Sequence, residues 1–117
     1  MKWDISGLSI SFDITDAVNA ERYEKAYKNL SDAKNSISNS GIISDYIRSF
    51  CDIIKSFFSD LFDSETADLI FYDTPVSINA YAEVYAGFIS FIEKQFAETR
   101  KRAETLHKYI PNAESSV

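Results

Sequence analysis

From Ile43 to Phe62 the chain places its apolar side chains on one face of a helix. With Ile47 at the origin of a helical wheel, Ile43, Phe50, Cys51, Ile54, Phe57, Phe58, Leu61 and Phe62 fall within an arc of about 140°. Asp45, Arg48, Asp52, Lys55, Ser56 and Ser59 occupy the other side. The stretch "IIKSFFSDLFDSETADLIF", residues 53 to 71, holds four phenylalanines in nineteen residues. Burying a Phe is worth about 2–3 kcal/mol, so such a stripe does not stay in water. It needs a second apolar surface. An arc this wide can also serve two neighbours, one inside the chain and one outside.

The rest of the chain supplies candidates for that surface. Residues 3 to 14, "WDISGLSISFDI", alternate apolar and polar, the pattern of half-buried strands. Ser6-Gly7 predicts a two-residue hairpin turn, with glycine supplying a positive φ. An isolated hairpin is marginal in water, so this one must lie on helices or gain strands from another subunit. A first helix follows, capped by Thr15 or Asp16, with Ala20, Tyr23, Ala26, Tyr27, Leu30 and Ala33 on one face. "SNSG", 38 to 41, is a loop. After the aromatic helix, "DSETADLIFYD" predicts a short helix capped by Asp63 or Ser64, with Leu69, Ile70 and Phe71 turned inward. "DTP" at 73 to 75 breaks the chain, because the residue before proline avoids the α region.

Ser77 then caps a long last helix over 77–109. Ile78, Tyr81, Val84, Tyr85, Phe88, Ile89, Ile92 and Phe96 form a second arc of about 140°. Beyond Phe96 the stripe thins to Thr99, Ala103, Leu106 and Ile110, so the second half projects or packs on a partner. Pro111 ends the helix and the residues after it fray. The expected fold is α+β and mostly α: one domain over 1–117, with a β-hairpin over 1–14 and a bundle of three to four helices over 15–110. Residues 111–117 form the frayed end.

Composition narrows the function. A chain of 117 residues buries roughly two-thirds of its unfolded surface and folds without staples. The single cysteine excludes an internal disulfide and multi-cysteine zinc sites, and it fits a reducing compartment. No apolar run approaches the ~20 residues of a membrane span, and "MKWDISG" lacks the apolar segment of a signal peptide. The expected place is the cytoplasm, with no membrane partner. Net charge is −6, and residues 1–76 carry all of it, with 7 basic and 13 acidic side chains. Such a surface repels phosphates, which argues against nucleic acid.

No catalytic constellation emerges, so no enzyme is expected. His107, the sole histidine, stands near a helix end, where it meets terminal carbonyls. Cys51 lies inside the apolar stripe, as a structural thiol does. The three glycines form no phosphate-cradling loop. The acidic run Asp60, Asp63, Glu65, Asp68 and Asp73 lacks the ligand spacing and central glycine of a calcium loop. No metal or cofactor is expected.

Several segments resemble a family of small tail-morphogenesis proteins from phages and prophages of Gram-positive bacteria. They are "MKWDISGLSISFDITDA", "ERYEKA", "IRSFCDIIKSFFSDLF", "TADLIF", "YAGFISFIEKQ" and "KYIPN". The resemblance runs in order along nearly the whole chain, and it is most specific in the hairpin and the aromatic helix. It implies a tail assembly chaperone, a non-enzymatic protein in the host cytoplasm. Such a protein holds the apolar tape-measure protein, or tail-tube subunits, until polymerisation. Two alternatives stand beside it: an acidic phage inhibitor of a host defence nuclease, motivated by the run from Asp60 to Asp73, and a structural tail component.

The second and last helices are the expected source of the binding surface, with Phe57, Phe58, Phe62, Tyr85 and Phe88 serving either a partner or the core. A hairpin edge with unpaired backbone groups invites pairing with another copy. A homo-oligomer is therefore expected, with Trp3 and Phe12 burying across subunits.

Overall fold

Two short strands open the chain, β1 (Lys2–Ile5) and β2 (Leu8–Ser11), paired antiparallel with Trp3 opposite Ile10. Ser6 and Gly7 between them have φ of 52° and 76°. Both central residues are thus left-handed, as a type I′ turn requires. Serine is costly in that region. Its hydroxyl donates to the Ile70 carbonyl at 2.8 Å, which ties the hairpin tip to the helical part. The pleat turns Trp3, Ile5, Leu8, Ile10 and Phe12 toward the helices, while Lys2, Asp4, Ser9 and Ser11 face solvent.

In the computed structural model, residues 1–37 and 39–110 are described. Four helices follow the hairpin: α1 (Ala17–Ala33), α2 (Ile43–Leu61), α3 (Ser64–Ile70) and α4 (Ile78–His107), with a 3₁₀ turn at Lys34–Ser36 after α1. This is the α+β, mostly α fold that the periodicities predict. Ser38, from the expected loop, and the expected frayed end at 111–117 lie outside the described residues.

Side-chain caps start three of the helices. The Asp16 carboxylate accepts from Asn19 N–H, that of Asp63 from Thr66 N–H, and the Ser77 hydroxyl from Ala80 N–H. Each satisfies a donor that the first turn leaves without an intrahelical partner. At the other end of α2, Arg22 Nη2 donates to the Phe62 carbonyl at 3.0 Å. That contact places a cation where the helix dipole is negative. Lys55 and Asp68, 2.7 Å apart, bridge α2 and α3 on the surface.

One cluster of buried side chains draws on the hairpin and on all four helices. In α3 the Ala67, Ile70 and Phe71 face turns inward, at i, i+3 and i+4. Leu69, also expected inward, is exposed because it stands about 100° round the helix from Ile70. Tyr27 likewise lies at the margin of its predicted face and is exposed. α2 and α4 run in the same direction: Phe57 meets Tyr85 at 5.3 Å and Phe62 meets Phe88 at 6.0 Å. At 30 residues α4 is about 45 Å long and outruns the core. Residues 100–110 are exposed throughout, and the molecule measures 63 × 31 × 21 Å.

Candidate protein-interaction surfaces

The hub of the aromatic core is Phe88, fully buried on α4. Trp3 packs edge-on to it at 5.0 Å, Phe58 at 5.5 Å, and Phe12 at 6.0 Å. Trp3 also stacks on Phe58, with centroids 5.6 Å apart and planes 9° from parallel. Edge-to-face and offset-stacked pairs are the favoured geometries for aromatic quadrupoles. The arcs on α2 and α4 therefore meet each other, and the hairpin closes over them.

This packing decides where the seven side chains proposed as partner-binding lie. Trp3, Phe12, Phe57, Phe58 and Phe88 are buried within the chain. Trp3 and Phe12 bury against Phe58, Phe62 and Phe88 of the same molecule, not across subunits as the sequence reading had it. Helices cover the inner face of the hairpin, so no second copy is needed to cover it. Phe62 and Tyr85 are half-buried and pack against the same cluster.

One polar side chain enters this core. Gln95 is 2% exposed. Its Nε2 donates to the Phe12 carbonyl at 2.9 Å, and its Oε1 accepts from Ile14 N–H at 3.0 Å. The amide thus satisfies the backbone on both sides of Asp13 and clamps the chain leaving β2 onto α4. Sequence reasoning passed over Gln95. The signal was its place at i+7 from Phe88 and i+3 from Ile92, where a polar residue continues a buried face.

Burial pushes the Cys51 thiol up, with the neighbouring Asp52 charge adding to the effect. It also raises the Tyr23 and Tyr85 hydroxyls. Cys51 is buried, so the thiol is placed for packing, not for attack. Members of the acidic run are already engaged. Asp63 caps α3, Asp68 pairs with Lys55, and Asp60 accepts from Asn29 at 3.3 Å. Among the described residues no group of acidic, His or Cys side chains could hold a metal ion. No described helix is long and apolar enough to cross a membrane.

Apolar side chains reach solvent at several points, and two of these lie on a cleft or groove. At the start of α2 the stripe runs out of the core: Ile43 is 78% exposed, Ile42 and Tyr46 are exposed as well, and so is Val76 just before α4. Ser44, Ile47, Arg48 and Val76 line a shallow cleft of about 150 Å³ there. The second place is a groove between α1 and α4, with Ile14, Ala20, Tyr23, Ile92 and Phe96 among its lining residues.

A family model now matches residues 6–116, nearly the whole of this fold. The chain belongs to that family. It is described as a family of unknown function, DUF6673. No curated protein and no solved structure matches the chain.

Proposed function

We propose that this protein is a phage tail assembly chaperone. It is non-enzymatic, acts in the cytoplasm of the bacterial host, and binds tape-measure or tail-tube protein during tail morphogenesis. The observation that carries the reading is the exposed apolar surface at the start of α2, on Ile42, Ile43 and Tyr46, together with Val76 on the cleft beside Ile47. Exposed apolar surface rimmed by polar side chains marks interaction sites, and Asp45 and Arg48 supply the rim here. The patch suits an amphipathic helix of the client, with one apolar side chain entering the cleft beside Ile47. The resemblance to tail-morphogenesis proteins chooses the client. The inhibitor reading has less support, because the fold already uses Asp60, Asp63 and Asp68.

Co-expression with the neighbouring tape-measure and tail-tube proteins tests this. A client that becomes soluble and co-purifies only with this protein supports the reading. Failure to rescue either protein removes it.

A further inference from the structure

We infer that the overhanging end of α4 docks into the α1–α4 groove of a second copy of this chain, forming an antiparallel dimer. The spacing of α4 is the first reason. Ile89, Ile92, Phe96, Thr99, Ala103 and Leu106 alternate by three and four residues, the seam of a coiled coil. The core holds the first part of that seam, with Ile92 buried and Ile89 partly so. Phe96 and Leu106 are 50% and 56% exposed, about 15 Å apart along α4, and the described residues from Arg100 onward are all exposed.

The groove is the second reason. It encloses about 530 Å³ where this seam leaves the core. Its apolar lining ends in Glu24, Glu93 and Arg100, and Arg100 lies over the Phe96 ring at 5.7 Å.

Charge selects the occupant and the register. Residues 97–108 carry four basic and two acidic side chains, in a chain of net charge −6. A basic helix end therefore meets a groove bearing Glu24 and Glu93. Setting Phe96 against Thr99 of the second copy lays the partner's Ala103 over the groove where Ile92 lines it, and the partner's Leu106 about one turn further along α4. That register brings Glu93 of each copy beside Arg100 of the other, at the flanking positions where antiparallel coils make ion pairs. Parallel pairing sets Arg102 near His107 and makes no opposite-charge pair.

The test is sedimentation equilibrium of the full chain over a range of concentrations. The wild type should dimerise. Leu106→Glu should abolish the dimer while the helical circular dichroism stays. Glu93→Arg and Arg100→Glu should each weaken dimerisation about tenfold, since each disrupts two symmetric pairs. The double exchange should restore it. Glu93 and Arg100 lie two turns apart on one helix, so rescue cannot arise within a chain. A monomer at all concentrations would overturn the inference. So would a dimer indifferent to these exchanges but broken by Ser11→Pro, which would assign the contact to the hairpin edge. The client surface at the start of α2 is separate, so either proposal can fail without the other.

Discussion

Replacing Gln95 tests whether the hairpin is locked to α4 by that amide. Gln95→Leu keeps roughly the volume and removes both hydrogen bonds. The Phe12 carbonyl and Ile14 N–H are then left buried and unpaired. An orphaned buried polar group costs about 1–3 kcal/mol, so the pair should cost about 2–6 kcal/mol. For a chain of this length 1 kcal/mol shifts the melting midpoint by about 4 °C, so the expected drop is roughly 8–24 °C. Urea unfolding at constant slope gives the free energy directly.

Gln95→Glu separates the hydrogen bonds from the packing. Burial without a cationic partner holds the introduced carboxyl above its unfolded value of about 4.3. A raised folded pKa means stability that is present below the unfolded pKa and lost as pH rises through the folded one. Near pH 4 the neutral acid can donate to Phe12 and accept from Ile14, as the amide does. Near pH 7 it must either bury a charge or leave its place. The deficit relative to wild type should therefore shrink as pH falls from 7 to 4. A Gln95→Leu cost below about 0.5 kcal/mol, or a pH-independent Gln95→Glu deficit, would refute the clamp.

Phe88→Ala should cost about 3–5 kcal/mol in urea unfolding, because it empties the hub of the aromatic cluster. Cys51 should resist Ellman's reagent at pH 8 in the native protein and react fully in denaturant; rapid native labelling would place the thiol at the surface. Hydrogen bonds hold two carboxyls below the ordinary value of 3.8: that of Asp13 chiefly to the Thr15 hydroxyl, that of Asp63 chiefly to Thr66 N–H. Their contribution is present above that value and lost as pH falls through the folded pKa, so Asp63→Asn should flatten the acid limb of a stability–pH curve. Asp68→Asn should change stability by less than about 1 kcal/mol, since its pair with Lys55 is solvent-exposed.

Local periodicity made most of the fold legible. The strand alternation around Trp3, the caps at Asp16, Asp63 and Ser77, and the two aromatic arcs each depend on residues near in sequence. Position relative to the rest of the molecule was not legible. Ile43 and Phe57 share one helical face, yet one is in solvent and the other in the core, because α4 and the hairpin cover only part of α2. The buried role of Gln95 depends on Phe12 and Ile14, more than eighty residues away. The proposed interaction surface differs from the expected one for the same reason. The aromatic side chains fill the core, so the apolar side chains left exposed are Ile43 and Tyr46 at the start of α2 and Val76 just before α4.

The most direct measurement is client capture by a patch variant, Ile43→Ser with Val76→Ser, in co-expression with the tape-measure and tail-tube proteins. Both positions are exposed, so the melting midpoint should stay within a few degrees of wild type. The expected result is a folded protein that no longer keeps its client soluble. A folded variant that captures the client as well as wild type does would contradict the assignment of this patch.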